Sequence, residues 1–332
     1  MGVVKDILYK VSNKKILPRF TNQTIFPYYH LVRDSTVAHI EYLYQYKNTT
    51  QFLNDLSVLT KNYKSLNPNE LLGNNYSFKN RFLITFDDGL QEVYSVIYPL
   101  LKQHNLKAIF FINPNFIDNN EGLYKHYISI IISKLKNSNF EKESLEKISQ
   151  ILSFTFDSEA DFIQKILGTK FSEKDKINDV LKLLEINVNG YLKEHKLYMT
   201  KQQIQEMIDD GFYFGGHTMS HPPLNQLGHE YQKKEIIDSI EWLKSNFNIN
   251  YSFFAFPFSD KTISKKLMQE LFEYDQNIRL FGNSGLKKDI DNRIIQRFSL
   301  ENPTKETDKQ IVTENLYKIF NKIIGKYNIK RK

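Results

Sequence analysis

Short apolar runs alternate along the chain with longer segments in which apolar residues recur every three or four positions. The first pattern is typical of buried strands and the second of amphipathic helices. The predicted strands are 24–30, 82–86, 108–112, 212–216, 251–256, 279–281 and 293–300. The predicted helices are 41–63, 90–105, 230–247, 263–272 and 306–327. Because strands alternate with helices, we expect parallel pairing with right-handed crossovers, and hence an α/β fold.

Two features refine this α/β prediction. No glycine-rich phosphate loop follows the first strand, which favours a (β/α) barrel over a doubly wound nucleotide-binding sheet. Residues 118–198 are rich in Lys, Glu, Asn and Ile and show only helical patterns. We therefore expect a single domain over 1–332 with a helical insertion at 118–198. After this insertion, Thr200-x-x-Gln203 predicts a capped helix that ends at Gly211.

The composition excludes several kinds of site. The 332 residues include no cysteine, so disulfides, thiolate zinc sites and cysteine nucleophiles are excluded. Lys and Arg number 45 against 38 Asp and Glu, and the resulting net charge of +7 is spread along the sequence. We expect a solvated basic surface and no nucleic-acid partner. Because no apolar run has the length of a signal-peptide core or a transmembrane helix, we expect a cytoplasmic protein.

The first eleven residues combine a helical apolar pattern with neighbouring lysines. The apolar positions are Val3, Val4, Ile7, Leu8 and Val11. One interpretation is a helix that makes peripheral contact with the inner face of the membrane. The other, which we favour at this point, is a helix packed on its own domain.

Two carboxylates end the strand predicted at 82–86. They are Asp87 and Asp88, and Gly89 follows them. Carboxylates at the end of a buried strand are costly unless a positive or hydrogen-bonding partner meets them there. That cost indicates a functional site.

The strand predicted at 212–216 ends in a similar way, with His217 and His221 four positions apart. Taken alone, such a pair is also compatible with two surface histidines. In a (β/α) barrel, however, the carboxyl ends of all strands open on one face, which places these histidines near Asp87 and Asp88. Two imidazoles and one carboxylate form a three-ligand set for Zn²⁺ or a similar divalent ion. The second carboxylate is then available as a base.

Three motifs resemble those of the polysaccharide deacetylase family, the nodulation-protein-type carbohydrate esterases. They are TFDDG at 85–89, HTMSH at 217–221 and, less closely, FAFPF at 254–258. The resemblance spans about 25–300, apart from the helical insertion. It implies a distorted (β/α)7-type barrel that hydrolyses an N-acetyl group on a sugar with the help of a divalent metal.

The resemblance also assigns roles to individual residues. Asp87 resembles the catalytic base of the family. Asp88, His217 and His221 resemble the ligands of the divalent metal, for which we expect Zn²⁺. In the mechanism that follows, a backbone N–H of the loop at 258–259 helps to stabilise the oxyanion.

The third motif departs from the family pattern. Pro257 and Phe258 match residues that line the substrate groove, but Ala255 stands where an arginine usually orients the base. Arg297, on the last predicted strand, is a candidate for the missing charge. A surface or ion-paired arginine is the equal alternative for Arg297.

The general acid is a second departure. The family places a histidine in a C-terminal Leu-x-His setting, and residues 299–302 contain none. His30 ends the first predicted strand, as in members with a permuted motif order, and we expect it to protonate the leaving amine. The alternative is a histidine hydrogen-bonded at the rim of the barrel. Arg33, on the same loop, is expected to contact the substrate or to hold His30.

These inferences predict a metal-dependent hydrolase that removes N-acetyl groups from an amino-sugar-containing glycan or a glycan precursor such as a lipid-linked sugar. Two alternatives use the same site, an O-acetyl esterase and a deformylase acting on a sugar. A third alternative is a glycan-binding pseudoenzyme, which the missing arginine and the missing Leu-x-His histidine favour. The intact pair of carboxylates and pair of histidines argue against it.

Overall fold

The computed structural model describes residues 2–73 and 78–332, and parallel strands form its centre. In chain order the strands are β1 (Thr24–Ile25), β2 (Pro27–Tyr29), β3 (Lys64–Ser65), β4 (Arg81–Phe82), β5 (Ile84–Phe86), β6 (Ala108–Ile112), β7 (Tyr213–Gly216), β8 (Phe253–Ala255), β9 (Arg279–Gly282), β10 (Ile294–Gln296) and β11 (Phe298–Ser299). The main sheet has the order β10-β9-β8-β7-β6-β5-β2-β11. A small second sheet has the order β1-β4-β3.

The last two strands turn the main sheet into a barrel. β10 and β11 are consecutive parts of one chain path, separated only by Arg297. β10 pairs with β9, whereas β11 pairs with β2, which lies at the other end of the sheet. The sheet therefore forms a distorted barrel of seven strand positions, interrupted at Arg297. The predicted (β/α)7-type barrel is confirmed.

Alternate residues of the strands face two different apolar clusters. On β8, Phe253 and Ala255 join an inner cluster with Ile109, Phe111 and Phe281 of the neighbouring strands. The residue between them packs in an outer cluster with residues of the helices that flank the sheet. Because side chains alternate across a strand, strands covered on both faces carry continuous apolar runs, as the sequence predicts here.

Helices connect the strands and cover the sheet. In chain order they are α1 (Gly2–Val11), α2 (Thr49–Asn62), α3 (Tyr98–Gln103), α4 (Tyr124–Asn137), α5 (Lys142–Leu152), α6 (Glu159–Leu167), α7 (Lys174–Leu183), α8 (Val188–His195), α9 (Lys201–Asp209), α10 (His229–Phe247), α11 (Lys265–Tyr274) and α12 (Thr307–Ile323). The predicted cap of α9 is confirmed, because the side chain of Thr200 accepts from Gln203 N and that of Gln203 from Thr200 N. Gly211 follows α9 with φ +78°, a left-handed conformation that suits glycine.

One helix prediction was partly wrong, and a second helix contains a π-helical stretch. The helix predicted at 41–63 begins only at Thr49, because Asn48 and Gln51 form a capping box at this point. Residues 38–43 form turns, so the helical spacing of their apolar residues does not correspond to a helix. The helix predicted at 90–105 is present: residues 91–103 are continuously helical, and 93–97 within them are π-helical. Such π-turns are frequent near functional sites, and this one follows directly on the Asp87 motif.

The chain divides into two compact units. One comprises Met1–Asp34, Tyr46–Pro114 and Met199–Lys332, and the other comprises Ser35–Gln45 and Asn115–Tyr198. The second unit is helical, with α4 to α8 around buried side chains such as Ile128, Ile148, Phe162, Ile177 and Val180. The sequence pattern did not associate 35–45 with this unit. The interpretation of 118–198 as an insertion in one catalytic domain stays a prediction.

Among residues 2–73 and 78–332, no helix has both the length and the apolar character needed to cross a bilayer. The expected cytoplasmic location stays a prediction.

Candidate active site

The predicted site residues follow neighbouring parallel strands. His30 follows β2, Asp87 and Asp88 follow β5, His217 follows β7, and Phe258 lies in the loop after β8. Because these strands run in the same direction, their carboxyl ends open at the same end of the barrel. The fold thus brings together residues that are up to 228 positions apart in the sequence.

Asp88, His217 and His221 converge on one buried point. Asp88 Oδ1 lies 3.2 Å from His221 Nε2 and 3.5 Å from His217 Nε2. All three residues are buried, and their candidate ligand atoms lie within 4.8 Å of one another. Asp88 Oδ1 nevertheless has no hydrogen-bond partner within the described part of the chain. Two imidazole nitrogens and a buried oxygen arranged in this way fit the donor set of a Zn²⁺ site.

The protonation of these groups also suits a metal site. His217 Nδ1 lies 2.7 Å from the carbonyl oxygen of Ala255, to which it donates, so that the lone pair of Nε2 faces Asp88. Burial lowers the pKa of His217 to about 4 and keeps its imidazole neutral, as metal ligation requires. Burial opposes ionisation of Asp88, but His221 and His30 lower its pKa below the ordinary value.

The backbone is unusual at the same positions. Asp88, Thr218, His221 and Phe258 all have φ between +53° and +72°, although none is a glycine. Non-glycine residues rarely adopt this conformation, and such residues concentrate at functional sites. Gly89 has φ +66°, and a Cβ atom there would lie 3.0 Å from a methyl carbon of Ile112. The glycine of the first motif is therefore required by its conformation and by the space beside it.

Hydrogen bonds hold the loop that carries the two histidines. Asn113 Nδ2 donates to the carbonyl oxygens of His217 and Thr218. Thr218 Oγ1 accepts from His221 N at 3.0 Å. From α10, the carboxylate of Glu235 accepts from the two backbone N–H groups at 219 and 220. These contacts fix the direction of both imidazoles before any ligand binds.

Arg297 supplies a positive charge to Asp87. Its Nη1 and Nη2 donate to Asp87 Oδ1 and Oδ2 at 2.7 and 2.9 Å, and Nη1 also donates to Thr85 Oγ1 at 2.8 Å. Both partners are fully buried. Burial would raise the pKa of Asp87, but the guanidinium of Arg297, together with the nearby His30, lowers it below its ordinary value. Asp87 is therefore an ionised carboxylate with a fixed orientation.

His30 is paired with a carboxylate that the sequence interpretation did not single out. Its Nδ1 lies 2.9 Å from Glu301 Oε2, and its backbone N–H donates to Glu301 Oε1 at 2.6 Å. Burial opposes protonation, but Glu301 raises the pKa of His30 to about 10, with smaller contributions from Asp88 and Asp87. His30 is therefore an imidazolium at neutral pH, within electrostatic range of both aspartates.

The three predicted substrate-binding residues differ in their exposure and contacts. Phe258 is 49% exposed, and its ring centroid lies 4.6 Å from that of His221, so an aromatic surface borders the Asp–His–His group. Pro257 is buried and offers little surface. Arg33 forms an ion pair with the buried Glu92, which stands four residues after Asp88.

Sequence reasoning missed Glu301, Asn113 and Glu235. A usable signal existed for Glu301, because it follows β11, which runs parallel to β2, the strand that His30 follows. Residues after paired parallel strands lie side by side, so an acid there lies next to His30. Asn113 directly follows β6, which also marks it as a residue at the carboxyl ends of the strands. Glu235 lies within a helix, and nothing in its pattern indicated a role.

A parallel barrel with an Asp–His–His group and a separate ionised aspartate at the carboxyl ends of its strands is typical of the barrel hydrolases. The family model for polysaccharide deacetylase matches residues 76–134 and 145–276, more than half of the sequence. The chain belongs to this family of glycan-deacetylating hydrolases, as predicted. The matched ranges contain the two main motifs and leave out His30 and Arg297.

Solved structures of low sequence identity share the fold. The deacetylase PplD of Streptococcus pyogenes, in complex with acetate, is 16% identical with a TM-score of 0.56, over 88% of this chain and 98% of that chain. IcaB from Ammonifex degensii is 15% identical with a TM-score of 0.53, over 88% and 97%. A de-N-acetylase from Aggregatibacter actinomycetemcomitans is 14% identical with a TM-score of 0.53, over 87% and 99%. A comparison with curated proteins found no match.

Proposed function

We propose that this protein is a metal-dependent hydrolase that removes N-acetyl groups from an amino-sugar-containing glycan or glycan precursor. The observation that carries the proposal is the arrangement of two differently placed carboxylates. Asp88 belongs to a buried three-ligand group, whereas Asp87 is held beside it by Arg297. A site that separates a ligand from a base in this way suits hydrolysis of an amide.

Asp88, His217 and His221 would hold the divalent ion, and Zn²⁺ fits their two nitrogens and one oxygen. Such an ion, when bound, polarises a carbonyl group and lowers the pKa of a water molecule. His217 is prepared for this role by its hydrogen bond to the carbonyl oxygen of Ala255.

Asp87 is the proposed general base. Arg297 keeps it ionised, so it is able to accept a proton from the attacking water at neutral pH. Because both carboxylate oxygens are already engaged by the guanidinium, the orientation of Asp87 is set before the substrate arrives. General-base catalysis of this kind contributes about 10²- to 10⁴-fold to the rate.

His30 is the proposed general acid. Its partner Glu301 keeps it protonated, so it is able to donate a proton to the nitrogen of the leaving amine. Amide cleavage requires an acid as well as a base, since the amine is a poor leaving group until it is protonated.

Phe258 and Arg33 are the proposed substrate contacts. The exposed ring of Phe258 offers a flat apolar surface to a sugar ring. Its backbone N–H has no hydrogen-bond partner within the described residues, whereas that of Ser259 donates to Pro257 O at 2.6 Å. We therefore assign the oxyanion contact to the N–H of Phe258 and not to that of Ser259. Pro257 is the buried residue of this turn, and its carbonyl oxygen accepts the hydrogen bond from Ser259.

The test is product analysis on matched substrates. Purified protein supplied with Zn²⁺ is incubated with an N-acetylglucosamine oligomer, with its N-formyl and O-acetyl counterparts, and with the free amine. Release of acetate together with a new primary amine, and its loss in Asp87→Asn, would support the proposal. Faster release of formate would instead identify a deformylase, and release of acetate only from the ester would identify an esterase. Binding of the oligomer without any release would identify a glycan-binding pseudoenzyme.

A further inference from the structure

The N-terminal helix α1 packs on α12 through its polar side. Ser12 Oγ lies 2.9 Å from Thr313 Oγ1, and Lys5 Nζ forms an ion pair with Glu314. The hydroxyl of Tyr9 accepts a hydrogen bond from the backbone N–H just before α12. Positions 5, 9 and 12 lie on one face of an α-helix, so this polar face is turned towards the protein.

The opposite side of α1 is apolar and exposed. Val3, Val4, Ile7 and Val11 are 75%, 37%, 56% and 69% exposed. A surface helix ordinarily turns its apolar stripe towards the core and its charges towards water. The orientation of α1 is the reverse, so α1 does pack on its own domain, as we favoured, but leaves these four apolar residues exposed, while Leu8 is half-buried.

The neighbouring helix exposes apolar residues as well. Ile319 and Ile323 of α12 and the following Ile324 are 44%, 78% and 43% exposed. Seven of the eleven exposed large hydrophobic side chains in the described part of the chain therefore belong to α1 and to the end of α12, two helices that contact each other. Single exposed apolar residues are normal, whereas such a concentration indicates an interaction surface.

Positive charge is concentrated in the same two segments. Residues 2–20 contain five basic residues and one acidic residue, and residues 307–327 contain four basic and two acidic residues. The two segments together have a net charge of +6, compared with +7 for the whole sequence. Of the residues described, Lys10, Lys15, Lys322 and Lys326 have no carboxylate within ion-pair distance. The sequence alone suggested an even spread, because these segments are about 300 residues apart.

A basic cavity lies next to α12. Its volume is about 630 Å³, and its lining includes Lys79, Lys287, Lys288 and, from α12 itself, Lys318. Two carboxylates also line it, those of Asp289 and Asp291, and each is paired with an arginine. Burial lowers the pKa of Lys287 and of Lys318, and repulsion from neighbouring lysines lowers both further. An anionic group would relieve this repulsion, and the space is sufficient for a phosphate headgroup.

We propose that α1 and the C-terminal half of α12 dock on an anionic phospholipid surface. The seven exposed apolar residues enter the interfacial region of the bilayer, and the flanking lysines bind lipid phosphates. We favour an anionic lipid surface because exposed apolar side chains are combined with lysines that have no carboxylate partner. A neutral protein surface would leave these lysines without counter-charges. The proposal does not depend on the deacetylase activity.

Vesicle co-sedimentation tests the proposal. The full chain is mixed at physiological ionic strength with vesicles of phosphatidylcholine containing about one-third phosphatidylglycerol, and with vesicles of phosphatidylcholine alone. We expect sedimentation with the first and little with the second. Ile7→Gln combined with Ile323→Gln should weaken binding at least tenfold, because each removed side chain loses several buried CH₂ groups. Lys10→Gln combined with Lys322→Gln should weaken it about fivefold per lysine and reduce its salt dependence.

The matched control is Leu183→Gln, an exposed apolar residue on a different helix, which should bind like the wild type. All variants should keep the wild-type thermal unfolding midpoint, since the replaced side chains are exposed. Absence of sedimentation with anionic vesicles would overturn the proposal, as would equal binding to neutral vesicles. Concentration-dependent dimerisation that the isoleucine variants abolish would also overturn it and assign the surface to a second copy of the chain.

Discussion

Arg297 and Asp87 form a fully buried ion pair in which two guanidinium nitrogens donate to the two carboxylate oxygens at 2.7 and 2.9 Å. The two residues are 210 positions apart, and Arg297 stands at the point where the barrel changes from β10 to β11. Arg297 thus supplies Asp87 with a positive charge, which Ala255 in the third motif is unable to supply. The residue that orients the proposed base therefore stands at the seam of the barrel.

Arg297→Lys should lower kcat strongly while the protein stays folded. A lysine keeps the positive charge but cannot make two parallel hydrogen bonds, so Asp87 loses its fixed orientation. We expect a loss of about 10²-fold in kcat with a smaller change in KM. The matched control is Arg293→Lys, since Arg293 makes a similar two-point contact with Asp291 away from the site. Equal kinetics of the two variants would contradict the assigned role of Arg297.

Glu301→Gln should move the alkaline limb of the pH–rate profile to lower pH. In the wild type, Glu301 raises the pKa of His30 from 6.5 to about 10, so the acid form persists through neutral pH. The neutral amide introduced by Glu301→Gln would not stabilise the positive charge of His30, so the pKa of His30 should fall towards its ordinary value. The measurement is kcat against pH for both proteins. An unchanged alkaline limb would show that His30 is not the acid whose titration limits the rate.

The same pair also affects stability, with a defined sign. Because the folded-state pKa of His30 is raised, its stabilising contribution is present below pH 6.5 and is lost as the pH rises through about 10. Thermal unfolding of Glu301→Gln should therefore differ most from the wild type at acidic to neutral pH. A difference that grows with pH instead would contradict the charged pairing.

The fold class and the grouping of Asp88, His217 and His221 followed from the sequence because their signals are local. Apolar runs that end in Asp87–Asp88 or precede His217 are visible in short windows, and parallel strands align their ends. The roles of Arg297 and Glu301 were harder to predict from the sequence. Their contacts with Asp87 and His30 depend on how the strands pair where the barrel closes. Their register follows from the pairing of β11 with β2, which no local pattern specifies. The exposure of α1 was unpredictable for a related reason: its helical pattern does not say which side packs on the protein.

Arg331→Met should destabilise the barrel at neutral pH. The Arg331 guanidinium is buried against the carboxylates of Asp260 and Asp289, at 2.7 and 2.6 Å, and its loss leaves two buried negative charges unpaired. Removal of one partner from a buried ion pair costs about 3–5 kcal/mol. In the wild type, neighbouring Gln296 and Arg331 lower the pKa of Asp260 against the effect of burial. This stabilisation is present above the pKa of the unfolded carboxyl and is lost as the pH falls.

The measurement for Arg331→Met is the free energy of unfolding in urea at neutral pH and near pH 4. The deficit should be large at neutral pH and smaller near pH 4, where the carboxylates of the variant become protonated. Arg331→Met combined with Asp289→Asn should recover part of the loss. A deficit that does not depend on pH would indicate lost packing and not unpaired charge.

Phe258→Ala should raise KM for an acetylated oligomer and leave kcat nearly unchanged. The ring is half-exposed beside His221, and its removal takes away a stacking surface but no charged group. We expect an increase in KM of up to about tenfold, the worth of a good aromatic contact. Tyr231→Ala removes another exposed aromatic ring and should leave KM as it is. A fall in kcat with constant KM would mean that Phe258 acts on the reaction and not on binding.

Metal dependence tests the central claim most directly. The protein is stripped with a chelator, zinc is added back in steps, and acetate release from an N-acetylglucosamine oligomer is followed with bound zinc measured in parallel. We predict no release without metal and full activity at about one zinc per chain. Asp88→Asn and His217→Ala should lose zinc binding, whereas the surface variant His229→Ala should keep it. Undiminished acetate release by metal-free protein, or equal zinc binding by Asp88→Asn and the wild type, would contradict the claim.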